Sequence, residues 1–501
     1  MAKLTRRKVL ASAGAAAAAA LGGLITFNIT RRRRRNVVWI VSDALRADRL
    51  GCYGYRSRTT GGMVNLTPNV DRLAEKGVLF ERCSAPSSWT MQSVAAMMTS
   101  RPPFVEGEYY NEGFARGFPT VAELLAAAGY KTAALVKNPW LWAVNALRQR
   151  DIVAARGFAV YHAGYMKNVP NPLYSQGIGG KEEALHFSGA ASAVKQAGIL
   201  LPELGAGRKP FFLYVHFMDT HEPYNPPEKY KAACLAGEVK GIPDFLLHKA
   251  MREYARRRGE EQLAPSDMPL FERTRCLYDA AVKYVDDSVG DLLKCLESLG
   301  VRDDTVIVFS SDHGEEFAEH GWIGHMTTLY EESLRVPLVL SGADVPRGAR
   351  ISSLVSSLDI APTILEACGI EAPGTMVGRA LDLSGAGDAV PRPVVASLVQ
   401  PVGTSLLTDK LYAVTDPRGM KLVRREHFSA KSGTAPVSAL YDLRSDPGEK
   451  TDAAASKPDA TGALEKQLAA IRTAAKGTVE KPVEIDDETR RQLKSLGYLN
   501  D

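Results

Sequence analysis

Asn36-Val37-Val38-Trp39-Ile40-Val41-Ser42-Asp43-Ala44-Leu45-Arg46-Ala47-Asp48 is the stretch whose reading decides the fold. Val37 to Val41 are apolar without alternation, the pattern of a strand covered on both faces in a parallel sheet. Asp43 follows where that strand ends and the chain turns toward a helix. Ligands gather at the carboxyl ends of strands in open α/β sheets, so this carboxylate is placed to hold a cation. Taken alone, it reads equally well as a helix N-cap.

Three more apolar segments end in the same way. Thr132–Val136 leads to Lys137-Asn138, and Phe211–Phe217 leads to Asp219 and His221-Glu222-Pro223-Tyr224. Thr305–Phe309 leads to Ser310-Ser311-Asp312-His313-Gly314-Glu315-Glu316. Helical patterns lie between them: one opened by Thr67-Pro68-Asn69 with Thr67 as its cap, one over Val121–Ala128, and a long amphipathic one over Leu277–Leu299. Val78–Arg82 reads as a short strand. After it, the polar turn Ala85–Ser93 enters a small-residue helix, Val94–Thr99, where a hydroxyl is either a cap or a nucleophile near helix-terminal N–H groups. Strands alternating with helices predict an α/β fold, with a mainly parallel central sheet sandwiched by helices and a smaller C-terminal α+β subdomain. The polar clusters at the strand ends imply a single site at one sheet edge.

The chain of 501 residues is long enough for a large core and more than one domain. Nine of its 62 Lys and Arg fall in residues 1–35, where there is no acid, so the remainder holds 53 basic against 57 acidic side chains. That balance excludes a generally basic nucleic-acid-binding body. The six cysteines are scattered without a Cys-x-x-Cys pair, which argues against a thiolate zinc site or a small disulfide framework.

Residues 1–35 read as an address. Thr5-Arg6-Arg7-Lys8 precedes an Ala-rich segment to about Thr30 and then Arg31 to Arg35. A basic twin-arginine start with a mildly apolar core resembles a twin-arginine export signal, either cleaved or kept as a membrane anchor facing the periplasm. Residues 36–385 are expected to form the larger α/β domain, which carries the site, and 386–501 the smaller subdomain, with strands at Val394–Leu398, Leu411–Val414 and Lys421–Arg424. Residues 451–480 read as helical, and a charged helix is expected near Asp486–Ser495. Substrate specificity is expected in the loops 101–118, 160–190 and 225–270.

These residues resemble the sulfatase family of the alkaline phosphatase superfamily. The likeness is carried by Asp43-x-x-Arg46-x-Asp48-x-Leu50-Gly51-Cys52-Tyr53-Gly54, Thr67-Pro68-Asn69-x-Asp71, His216-Phe217-x-Asp219-x-His221-Glu222-Pro223-Tyr224 and Ser311-Asp312-His313-Gly314-Glu315. It continues through Tyr330–Pro337, Asp359-x-Ala361-Pro362-Thr363, Leu440-Tyr441-Asp442-Leu443-x-x-Asp446-Pro447-x-Glu449 and Leu496-Gly497-Tyr498. Two positions depart from the family pattern. The family's nucleophile is a Cys or Ser converted to formylglycine, and its register falls on Thr90, with Gln92 and Val94 in place of the motif's Pro and Arg. Formylglycine is therefore not expected. Ala44 stands where a second metal carboxylate usually follows the first.

The resemblance implies one divalent metal ion (Ca, Mn, Zn or Mg) on Asp43, Thr90, Asp312 and His313, an oxygen-rich set with one imidazole. Thr90 is then the nucleophile, activated by the metal. Lys137 and His221 bind substrate oxygens or protonate the leaving oxygen. His325 is an oxyanion contact or a second-metal ligand, and Arg46 supports the site or pairs with Asp48. His216 reads as a core histidine and His320 as an exposed loop residue. The expected activity is hydrolysis of sulfate, phosphate or phosphonate esters of small molecules, glycans or lipids. The alternatives are an envelope phosphoethanolamine- or glycerol-phosphate-type transferase, or a non-catalytic binding protein on a decayed sulfatase scaffold.

Overall fold

The computed structural model describes residues 34–59, 62–104, 117–138, 141, 153–163, 189–234, 268–384, 391–399, 409–427 and 437–474. The leader segment, much of the three specificity loops, the expected helix at Asp486–Ser495 and the motif Leu496–Tyr498 lie outside them. Among the described residues, no helix is long and apolar enough to cross a membrane.

The decisive stretch forms β1 (Asn36–Ser42), buried from Val37 onward. It pairs in parallel with β7 (Phe211–Phe217) on one side and β8 (Thr305–Ser310) on the other. β5 (Lys131–Val136) and β6 (Val160–Ala163) extend the sheet in parallel beyond β7. Beyond β8 lie β11 (Arg335–Gly342), β4 (Gly77–Ser84) and β12 (Ala349–Ser356), giving eight strands in the order β12-β4-β11-β8-β1-β7-β5-β6. β11 is antiparallel to both β8 and β4, so β4 runs in the same direction as β8. The carboxyl ends of β1, β4, β5, β7 and β8 therefore meet at one edge. The mainly parallel sheet expected from the sequence is present. Two short hairpins, β2 (Ser57–Thr59) with β3 (Gly62–Val64) and β9 (Glu316–Phe317) with β10 (Ile323–Gly324), stand outside it.

Alternate residues of β1 enter different cores, as the two-residue strand period requires. Val37, Trp39 and Val41 join Tyr214 and the helices α2 (Thr90–Thr99), α3 (Val121–Ala127) and α7 (Ile360–Ala367). Val38 and Ile40 join Leu213 and the helices α1 (Pro68–Glu75), α4 (Ala190–Gly205) and α5 (Met268–Ser298) on the other face. Trp39 packs edge-on against Tyr214 with centroids 5.4 Å apart, and its indole N–H donates to Ser310 Oγ at 2.9 Å.

Thr67 is not the side-chain cap of α1. Its hydroxyl accepts from Gly51 N and donates to Asp71, while Asp286 of α5 accepts from Asn69 N and Val70 N in the cap's place. A four-stranded antiparallel sheet follows, made of β13 (Val394–Val399), β14 (Asp409–Thr415), β15 (Met420–His427) and β16 (Val437–Asp442). The helix α8 (Pro458–Ala474) covers it with Leu464 and Leu468, so the helical reading of 451–480 holds over that span. Cys52, Cys83, Cys276, Cys295 and Cys368 are all outside disulfides.

Candidate functional site

Asp43 leaves β1 with its backbone N–H bonded to Phe217 O at 2.9 Å, which places its carboxylate between the ends of β7 and β8. Its Oδ2 is saturated by two donors, Asn138 Nδ2 at 2.5 Å and His216 Nε2 at 3.0 Å. Its Oδ1 is buried without a hydrogen-bond partner and lies 3.6 Å from His313 Nε2. Asp312 repeats the arrangement after β8. Its Oδ1 accepts from His313 N at 3.0 Å and Ala44 N at 3.2 Å, while Oδ2 has no hydrogen-bond partner and lies 3.5 Å from the same imidazole nitrogen. Each carboxylate is thus held by one oxygen and turns the other toward a common point.

His313 completes that point. Its Nδ1 donates to Gly314 O at 2.8 Å; a carbonyl only accepts, so the proton sits on Nδ1 and Nε2 presents its lone pair. Thr90 Oγ1 approaches Nε2 at 3.1 Å and lies 3.4 Å from Asn138 Nδ2. Thr90 is the first residue of α2 rather than its cap, a position taken by Trp89, and Ser93 Oγ one turn on donates to Asp312 O at 2.5 Å. All these side chains are essentially closed to solvent.

Two bare carboxylate oxygens and a hydroxyl, each 3.1–3.6 Å from one imidazole nitrogen, form with it a fitting donor set for a divalent ion. Ligands about 2.1 Å from a tetrahedral ion stand about 3.4 Å apart. The two carboxylates also act on each other and on the imidazoles around them. Burial works to raise the pKa of Asp43, but the His221, His216 and His313 imidazoles hold it below the usual carboxylate range. Burial and the neighbouring Asp43 push Asp312 upward.

His221 lies beside this centre, buried, with Nδ1 donating to Glu222 O at 2.6 Å. Its ring meets His325 edge-on at 4.6 Å, and His325 in turn lies 4.5 Å from His313. Glu315 Oε1 orients His325 through Nδ1 at 2.9 Å. Lys137 is not a surface lysine: it is 1% exposed, bonds Gln196 Oε1 at 3.2 Å and directly precedes Asn138. Asp219 accepts from Ala190 N at the start of α4, and burial pushes its carboxyl up to about 7.

Arg46 serves as a brace. Its guanidinium grips Asp48 with two N–H groups (2.7 and 2.9 Å) and reaches Glu319 Oε1 at 2.6 Å and Glu315 O at 3.0 Å. Its bonds therefore go to carboxylates and backbone of the supporting loops rather than to Thr90. Arg46→Met is expected to lower stability by about 2–3 kcal/mol, discounted because Asp48 is half exposed, with kcat reduced less than tenfold. Thermal unfolding and steady-state rates check this.

One histidine does more than its sequence reading implies, and one departs from it. His216 is buried within β7, as a core histidine is, but its ring holds Asp43 while Tyr214 Oη bonds its Nδ1 at 2.8 Å. His320 is not an exposed loop residue: it stacks on Tyr330 at 3.7 Å and bonds Glu332 and Glu449 O. Asn138, read only as the residue after a strand, is the contact shared by Asp43 and Thr90.

The sulfatase family profile matches residues 35–370. Among curated relatives, the N-acetylglucosamine-6-O-sulfatase of Bacteroides thetaiotaomicron is 24% identical over 411 residues, covering 70% of each chain. The multifunctional alkaline phosphatase superfamily protein PehA of Trinickia caryophylli is 32% identical over 194 residues, covering 35% of this chain and 38% of that one. The crystal structure of the phosphonate monoester hydrolase of Agrobacterium radiobacter superposes with a TM-score of 0.65 at 19% identity, covering 91% of this chain and 99% of that one. The chain belongs to the sulfatase family, a class of ester hydrolases.

Proposed function

We propose that the chain is a metal-dependent hydrolase of sulfate, phosphate or phosphonate esters with Thr90 as covalent nucleophile. The observation that carries this reading is the position of Thr90 Oγ1, 3.1 Å from the imidazole nitrogen that both bare carboxylate oxygens also face. A divalent ion bound by Asp43, Asp312, His313 and Thr90 supplies Lewis acidity, which lowers the pKa of the hydroxyl and offsets charge on the ester's non-bridging oxygens.

Thr90 Oγ gives its proton to water and bonds to the central sulfur or phosphorus as the bond to the ester oxygen breaks. The departing oxygen takes a proton from His221 or Lys137. Water then attacks the same central atom and releases the inorganic or phosphonate anion, one water proton restoring the Thr90 hydroxyl, while the proton first lost by Thr90 replaces through water the one given by His221 or Lys137. Asn138 and His216 keep Asp43 turned inward throughout, and Glu315 does the same for His325. Because Thr90 has no route to formylglycine, its ester must be cleaved by water at the central atom, which favours phosphorus esters. The sulfatase relatives support sulfate. The alternative, a non-catalytic binding protein on a decayed scaffold, is read by metal analysis: a purified protein without a stoichiometric divalent ion would favour it. Comparing nitrophenyl sulfate, phosphate, phosphodiester and phosphonate with Mn²⁺, Zn²⁺, Ca²⁺ or Mg²⁺ present tests the proposal; no turnover of any with any ion would contradict it.

Lys137 gives the pH dependence its sign. Burial pulls its ammonium down to about 8, although nearby Asp219 opposes the shift. The cationic form is complete below that pH and is lost as pH rises through it. The expected outcome is a fall in kcat/KM above about pH 8, and loss of that limb in Lys137→Met together with about a hundredfold of the rate. The proposal extends to export: Arg6-Arg7 and the Ala-rich segment favour a periplasmic enzyme, and mass spectrometry of the N-terminus reads whether residues 1–30 are removed.

A further inference from the structure

One cluster of buried charge lies away from the site, on a sequence motif to which the proposed chemistry assigns no part. Glu449, at the end of Tyr441-Asp442-Leu443-x-x-Asp446-Pro447-x-Glu449, is 2% exposed and has φ of 50°, a conformation that costs a non-glycine residue energy. Its Oε2 accepts from Glu331 N at 2.6 Å, its Oε1 pairs with Lys421 Nζ at 2.9 Å, and its carbonyl accepts from His320 Nε2 at 3.2 Å. Lys421, fully buried on β15, also bonds Glu331 Oε1 at 3.0 Å, and Lys450 Nζ donates to Glu319 O. The C-terminal sheet and its following turn thereby grip two segments of the larger unit, 319–320 and the short helix α6 (Glu331–Leu334).

The gripped helix touches the site's backbone. Gly314 N donates to Ser333 O at 2.8 Å and Glu315 N to Glu332 O at 2.9 Å. A Cβ on Gly314 would lie 2.0 Å from Glu332 O, so no other residue fits that approach. Gly314 O in turn fixes His313 Nδ1, and Glu315 Oε1 fixes His325 Nδ1. Burying a lysine with two carboxylates adds little net stability, because desolvation offsets most of the attraction; what it does is select one arrangement.

We propose that Lys421 and Glu449 are positioning residues: through α6 and the 314–315 backbone they set the orientation of the His313 and His325 imidazoles. What those imidazoles do rests on the proposed function; that they are held from the C-terminal sheet does not. The test uses the full-length protein without metal, with Lys421→Met and Glu449→Gln beside Leu464→Ala, which loosens the core of the same sheet. Amide exchange at Gly314 and Glu315 is expected to rise at least tenfold in the first two variants. The ¹⁵N imidazole resonances of His313 and His325 are expected to move while that of His216, held from β7, stays in place. Unchanged exchange and unchanged imidazole resonances in both variants, or equal changes in Leu464→Ala, would overturn the proposal. Divalent-ion titration of the wild type, run alongside, bears only on the proposed function, so the two fail separately.

Discussion

Thr90→Val is expected to lower kcat at least about a thousandfold while leaving the melting temperature of the metal-free protein nearly unchanged. Valine keeps the buried shape of threonine and loses only the oxygen that faces His313 Nε2 and Asn138 Nδ2. Thr90→Ser keeps an oxygen at the same position on the first turn of α2 and should retain measurable turnover. The pair separates nucleophile from packing, because a packing role predicts the opposite order. Quenching the wild type during turnover of a phosphorus ester should leave a covalent adduct on Thr90 by mass spectrometry. Full turnover by Thr90→Val would remove the nucleophile assignment.

The second large effect concerns stability. In the absence of an ion, Asp43 and Asp312 face each other through bare oxygens in a solvent-free site, with Asp312 pushed upward by burial and by Asp43. A divalent ion at a thousandfold excess over its Kd is expected to stabilise the fold by about 4 kcal/mol, read as a rise of several degrees in melting temperature that EDTA reverses. Asp312→Asn removes one of the opposed charges while keeping an acceptor for Ala44 N and His313 N. The metal-free variant should therefore be more stable than the metal-free wild type, by about 1–3 kcal/mol, and should lose the response to the ion. Were Asp312→Asn less stable without metal, the carboxylate would be serving structure rather than an ion.

The sheet and much of the site were legible for one reason. Val37–Val41, Phe211–Phe217 and Thr305–Phe309 are apolar on both faces, so the polar residues just beyond them stand out at strand ends that a parallel sheet must align. Asp43, Asp312 and His313 stood out in this way, and Thr90 was found by register. His216 is the buried core histidine that its place inside such a strand implies, but its bond to Asp43 leaves little trace there. The one signal was Tyr214 two residues earlier on the same face, a polar pair in an apolar run. Asn138 and Glu315 act through bonds to residues 95 and 10 positions away, which no local pattern encodes. The capping bonds of Asp286 to α1, 217 positions from Asn69, are equally non-local: Thr67 holds the N-cap position, but the side chain that caps is Asp286. His320 sits in a turn as its sequence suggests, but it reads as exposed because its partners, Glu332 and Glu449, arrive from elsewhere in the chain.

The central claim is that the ends of separate strands meet around one ion that also takes the Thr90 hydroxyl. Anomalous diffraction from crystals grown with Mn²⁺ tests it most directly. The account predicts a single peak within about 2.0–2.4 Å of one oxygen each from Asp43 and Asp312, of His313 Nε2 and of Thr90 Oγ1. A peak elsewhere, no peak at all, or an ion whose sphere leaves out Thr90 would contradict it.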